Sequence, residues 1–290
     1  MKTIGTVRPS MLGDLIISLV FAQWYKNRFP HITQIAYVDK KCQQILPLLY
    51  NHDCIEGFRI SESSDKLSDN DRNYFFDNFN VSFNPYPSLT DENYFNKRSI
   101  IEETFLMTTQ FGAGRIDPGH WEDVREDEKF PKLNVWFELP KNNAHYIGIW
   151  PQSGYSIDPA NNKRNPSKQY WAGLVERLYK ENYTIVQLGT KDHELVSSYV
   201  LDGRDKSLLE AIKFSLICEC SIGTDSGSQW CLGAYGVNQV LLTTYWKNNH
   251  YQNPTALIPV NHKKRAINLF HRDINKIEYD LVVEAIRILK

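Results

Sequence analysis

"KTIGTVRPSMLGDLIISLVFAQWYKNRF", Lys2–Phe29, changes its hydrophobic period within a few residues. Its opening, "KTIGTV", is short and rich in β-branched residues, as strands are. "RPSMLG" breaks that run with Pro9 and Gly13, and "DLIISLVFAQWYKNRF" then spaces its apolar residues as one face of a helix requires. The unit is strand, loop, helix. Reading outward, "TQIAYV" (Thr33–Val38) is a second strand, "KKCQQILPLLY" a helix carrying Pro47, and "CIEGFRI" a third strand. Alternation of this kind predicts βαβ units on a parallel sheet.

The second half repeats the pattern. "YIGIWP" (Tyr146–Pro151) is a strand, "SKQYWAGLVERLYKEN" a helix, "YTIVQLG" a strand ending at Gly189 and "LLEAIKFS" a short helix. "LICECSIG" is read as another strand, "SQWCLGAYG" as a short helix, "NQVLLTT" as a strand and "INKIEYDLVVEAIRILK" as a closing amphipathic helix. Two Rossmann-like α/β halves are the simplest architecture. With 290 residues the chain has length for two domains. The polar, turn-rich "PKNNAH" (Pro140–His145) sets the expected boundary, giving residues 1–141 and 142–290. Within the first half lie a Ser- and Asp-rich loop, 61–73, and a Gly-, Pro- and charge-rich connector that begins "GAGRIDPG".

Charge and cysteine usage narrow the function. Lys plus Arg is 33 against 34 for Asp plus Glu, a net charge of -1, which argues against a nucleic-acid partner held by counterion release. The apolar run "DLIISLVFAQW" is too short to span a bilayer, for which ~20 residues are needed, so a protein without a signal peptide and with at most peripheral membrane contact is expected. The five cysteines are odd in number and form no C-x-x-C pair, so neither a disulfide framework nor a zinc ribbon is indicated and a cytoplasmic location is expected. Cys218 and Cys220, two apart in a presumed strand, are read as buried structural thiols on one face.

Ligands of open parallel sheets lie beyond the carboxyl ends of the strands, so the loops there carry the chemistry. In "RPSMLGDLI", Asp14 follows Gly13 at a helix start, as an N-cap or as a general base that takes a proton from a hydroxyl. In "PQSGYSIDPANNKRNPSKQYW", Lys168 opens a helix, where the dipole disfavours a cation unless an anion lies nearby; a solvent-facing lysine is the other reading. In "SIGTDSGSQW" (Ser221–Trp230), backbone N–H groups at a helix start, uncrowded at Gly227 and flanked by Ser226 and Ser228, suit a phosphate. Asp225 cannot face the same anion, and is read as capping the helix or accepting from a sugar hydroxyl. A capped turn without ligand is the alternative. "TDSGS" has Thr224 where the G-x-S-x-G elbow needs glycine, and neither a dinucleotide G-x-G-x-x-G nor a P-loop is present.

In order along the chain, "SMLGDLIISLVFAQWYKNRFP", "IGIWPQSG", "KQYWAGLVERLYKENYTIVQLGT" and "SLLEAIKFSLICECSIGTDSGSQWCLGAYGV" resemble the motifs of the heptosyltransferase family. These are inverting glycosyltransferases with two Rossmann-like domains facing a central cleft, the GT-B architecture. The resemblance implies transfer of a sugar from a nucleotide-diphosphate donor, ADP-heptose or a related nucleotide sugar, to a glycan or glycolipid acceptor, without metal or other cofactor. It implies Asp14 as catalytic base, with Ser10 and Gly13 on the acceptor approach. Ser153, Lys168, Asp225, Ser226, Gly227 and Ser228 would meet the donor. The domain assignment that follows is acceptor-binding for 1–141 and donor-binding for 142–290, with the last helix, about 274–290, reaching back toward the first domain. The chain departs from the pattern at Gln152, which replaces a loop glycine, and at Trp230, which replaces a histidine and is read either as an exposed tryptophan that stacks on a sugar or base or as a core residue of the short helix. A nucleotide-sugar epimerase of similar fold and a non-catalytic sugar-nucleotide or glycan-binding module are the competing expectations.

Overall fold

A computed structural model describes residues 3–7, 12–61, 121–139, 145–152, 164–244, 263 and 265–290. The chain separates into two compact units, Met1–Asn134 and Val135–Lys290.

In the first unit, β1 (Thr3–Val7), β2 (Thr33–Asp39) and β3 (Gly57–Ser61) lie side by side in that order, all parallel, with Gly5 opposite Ile35 and Tyr37 opposite Arg59. The helix expected after β1 is divided into α1 (Leu12–Ile17) and α2 (Leu19–Arg28). Ser18 causes the break: its hydroxyl donates to the Leu15 carbonyl at 2.6 Å, competing with the helical ladder. Leu19, Phe21, Trp24 and Tyr25 of α2 are buried; at the i, i+4 spacing Phe21 stacks on Tyr25, and Tyr25 meets Phe29 at a tilt. Gln23 ties in the distant segment, donating to the Phe130 carbonyl and accepting from the Lys132 amide. "KKCQQILPLLY" forms a 3-10 helix, Lys40–Ile45, followed by a single α-turn, α3 (Leu46–Leu49), with Pro47 in the first turn where its missing N–H costs nothing.

The second unit is a six-stranded parallel sheet: β4 (Tyr146–Trp150), β5 (Thr184–Gln187), β6 (Val200–Asp202), β7 (Cys220–Thr224), β8 (Gln239–Thr243) and β9 (Ala266–Phe270). Its spatial order is β6-β5-β4-β7-β8-β9, so the direction of winding reverses between β4 and β7. This is the Rossmann order. Helices α4 (Lys168–Lys180), α5 (Leu208–Ile217), α6 (Gly227–Tyr235) and α7 (Tyr279–Leu289) are begun by local chemistry. Ser167 caps α4, Ser207 and Glu210 form a capping box on α5, and Ser226 caps α6. Gly236 ends α6 in the left-handed region, φ 73°, which glycine enters without a Cβ penalty. The final helix lies on this unit's own core, where Val282, Val283 and Ile286 join Trp171 and Leu174 of α4 and Val240 of β8.

Two expectations are corrected here. "LICECSIG" is not one strand: α5 runs to Ile217, Cys218 is its C-cap, and β7 starts at Cys220. The two cysteines therefore do not share a strand face, although both thiols are pushed up by burial and Cys220 is fully enclosed. The strand expected from Cys54 begins only at Gly57.

Candidate functional site

The reversal point of a doubly wound sheet opens a crevice at the carboxyl ends of the two strands that flank it. In the second unit those strands are β4 and β7, paired with Trp150 opposite Gly223. The residues that follow them are Pro151 and Gln152 on one side, and Asp225, Ser226 and Gly227 on the other. Both loops singled out in the sequence thus emerge next to each other.

Each loop is anchored from below. Trp171, almost wholly buried in α4, donates its indole N–H to the Pro151 carbonyl at 3.2 Å. Under the start of α6 lies a buried amide network. Gln229 Nε2 donates to Ser221 Oγ at 3.2 Å, and Gln239 Nε2 donates at 2.8 Å to both the Gln229 backbone carbonyl and its Oε1. The network needs a glycine above it, because a Cβ at Gly223 would stand 2.9 Å from Gln229 Cδ. Gly223→Ala is therefore expected to displace Gln229 and cost about 1–3 kcal/mol, measured as a fall in the denaturant midpoint.

The amino end of α6 has the form expected of an anion seat. Ser226, extended at φ -156° and ψ 160°, accepts from the Gln229 amide at 3.4 Å. The first amides of the helix, from Gly227 onward, have no acceptor within the helix and point along its positive end. Asp225 neither caps the helix nor stands open to solvent. Its Oδ1 accepts from Trp230 Nε1 at 3.2 Å and its Oδ2 from Arg164 Nη1 at 3.2 Å. Burial pushes the Asp225 carboxyl upward, and Arg164 and Trp230 hold it back. Trp230 itself is 4% exposed. The stacking-platform reading of this tryptophan is thus corrected and its reading as a core residue of the short helix stands, with an added role as hydrogen-bond donor to Asp225.

Arg164 was missed in the sequence. No local pattern separates it from the other polar residues of "NNKRNPSK"; its partner is supplied only by the fold. Lys168 is the first residue of α4, and its ammonium lies 2.7 Å from Glu194 Oε2 in an exposed pair, with side chains 60% and 78% accessible. Glu194 provides the negative partner that a lysine at a helix amino end calls for. At the ends of β5 and β6, Arg204 grips Asp202 with Nε and Nη2, both at 2.8 Å, and holds its carboxyl down to about 2.

In the first unit, Gly13 and Asp14 fall in the first turn of α1, after β1, so Asp14 lies within the helix and does not occupy its N-cap position. Its side chain, with Ser10 and Ser153, lies outside the described residues. Among the described residues no group of three His, Cys, Asp or Glu side chains is placed to hold a metal ion, and no helix is long and apolar enough to cross a membrane.

No family model matches the chain, and no curated protein does. Solved structures match over its whole length. E. coli ADP-heptose LPS heptosyltransferase II has a TM-score of 0.68 at 15% identity, over 100% of this chain and 98% of that one. The glycosyl transferase family 9 protein of Veillonella parvula gives 0.67 at 14%, over 99% and 97%. E. coli heptosyltransferase WaaC, solved with ADP, gives 0.65 at 12%, over 100% of both chains. With two Rossmann-like units and the helix starts described above, the chain has the GT-B fold of the heptosyltransferases.

Proposed function

We propose that this protein is an inverting glycosyltransferase that moves a sugar from a nucleotide-diphosphate donor to a hydroxyl of a glycan or glycolipid. The observation that carries the reading is a coincidence of position. The Asp-Ser-Gly-Ser helix start falls at the reversal point of the second sheet, in a fold matched from end to end by heptosyltransferases, one of them solved with ADP.

The donor diphosphate lies at the amino end of α6, taking hydrogen bonds from its first amides and from the hydroxyls of Ser226 and Ser228, with Gly227 allowing close approach. Ser153 and Lys168 complete the seat from the β4 side. Asp14 removes the proton from the acceptor hydroxyl as its oxygen attacks the anomeric carbon, and the bond to the diphosphate breaks on the opposite face. The negative charge that grows on the departing diphosphate meets fixed dipoles and cationic side chains already in position, so little reorganisation is required. The donor sugar is ADP-heptose or a related nucleotide sugar.

Nucleotide diphosphates and nucleotide sugars presented as a panel test the reading by thermal melting. A ligand at 100 times its Kd stabilises the native state by about 2.7 kcal/mol, which at ~2–4 °C per kcal/mol raises Tm by roughly 5 °C or more. No shift with any member of the panel would remove the donor site. Conversion of a nucleotide sugar without any acceptor would favour an epimerase, and donor binding without transfer to any acceptor a binding module.

A further inference from the structure

We propose that the indole N–H of Trp150 is a direct hydrogen-bond donor to the diphosphate of the sugar donor at the amino end of α6. The inference rests on the donor-site reading above and adds to it a ligand from the last residue of β4.

Strand register decides where the ring lies. Trp150 stands opposite Gly223 of β7, so in this parallel pair the two residues face the same side of the sheet. That side is the one α6 covers, because a Cβ at Gly223 would run into the side chain of Gln229, the third residue of α6. Gly148, two residues earlier on β4, shares the face, so neither the preceding residue on that side nor the one across from it competes with the indole for space. The ring of Trp150 therefore lies one strand across from the first turn of α6, at the carboxyl end of the sheet where the first amides of that helix open.

Its one polar atom is unused. Trp150 is 6% exposed, and its Nε1 is buried without a hydrogen-bond partner. Among the described residues it is the one buried side-chain nitrogen left without an acceptor. An indole N–H is a donor only, and when buried it usually finds a partner. The buried tryptophans on the neighbouring helices do so: Trp171 donates to the Pro151 carbonyl and Trp230 to Asp225. The acceptors near the start of α6 are already engaged, Gln229 Oε1 by Gln239 and the two oxygens of Asp225 by Trp230 and Arg164. A phosphate oxygen seated on the first amides of α6 supplies the missing acceptor. Since the N–H is already out of water, forming that bond gives up no hydration on the protein side, and a donor of this kind contributes more to affinity than an exposed one.

Titration of the full chain with a nucleoside diphosphate and with the matching nucleoside tests the inference. Trp150→Phe keeps an aromatic ring and removes the N–H. It is expected to weaken the diphosphate about tenfold, a loss of ~1.4 kcal/mol, and to leave the nucleoside's affinity unchanged. A second measurement needs no variant and serves if Trp150→Phe folds poorly. In the wild-type chain labelled with nitrogen-15, the Trp150 indole proton is expected to move downfield and to exchange more slowly with water when the diphosphate is added, and to do neither with the nucleoside. Diphosphate affinity unchanged in folded Trp150→Phe, an equal loss for the nucleoside, or an indole signal that the diphosphate leaves in place would overturn the proposal while the donor site stood. Absence of any nucleotide binding by the wild type would overturn both.

Discussion

Asp14→Asn is expected to lower sugar transfer by about 10²–10⁴-fold, the usual contribution of a positioned general base, while leaving the affinity for donor within about twofold of wild type. The asymmetry follows from where the residue lies. Asp14 belongs to the first unit, in the opening turn of α1, whereas the proposed diphosphate seat is built by β4, β7, α4 and α6 of the second. An asparagine is close in shape and remains acceptable in the first turn of a helix, so folding should be little affected. It cannot take a proton from the acceptor hydroxyl. Transfer would be followed with the nucleotide sugar that gives the largest thermal shift, and donor affinity by titration of the same preparation. Wild-type turnover in the variant would remove Asp14 as base, and a parallel loss of donor binding would reassign it to binding.

The strand–loop–helix joints were legible because they are local. "IGIWP" carries a short strand run ended by a breaker, and "CSIGTDSGS" a strand run, a glycine and a capping hydroxyl, and the structure ends β4 and starts α6 where those residues direct. β6 and β9 were not legible. β6 has three residues on a sheet edge, with Leu201 and Asp202 exposed, so it has almost no period to read. Every residue of β9 is half-buried, which erases the contrast between faces. Cys218 was misplaced because "LICEC" is apolar across a helix end and a strand start, and periodicity alone does not divide such a run. At the candidate site the limit is different. The helix start could be read, but the partners of Asp225 could not, since one of them lies 61 residues away along the chain and the other is a tryptophan whose burial depends on tertiary packing.

Trp171→Ala is expected to destabilise the protein by about 3–5 kcal/mol, a large part of the ~5–15 kcal/mol that holds a typical domain together. Trp171 is among the largest fully buried side chains and sits in the cluster that joins α4 and α7 to the sheet. Removing it leaves a void that surrounding Leu174, Ile149 and Val282 can fill only in part. The substitution also strips the Pro151 carbonyl of its indole donor, releasing the loop that follows β4. Trp171→Phe separates the two effects. It retains most of the ring and should cost about 1–3 kcal/mol, chiefly from the acceptor left unpaired. If the indole bond sets the position of the β4 loop, Trp171→Phe should weaken nucleotide-diphosphate binding several-fold under conditions where the variant is still fully folded. Denaturant midpoints for both variants, measured beside nucleotide titrations, decide the matter. Equal destabilisation by Ala and Phe would assign the whole effect to hydrogen bonding, and unaltered nucleotide affinity in the folded Phe variant would show that the tryptophan supports the core without shaping the site.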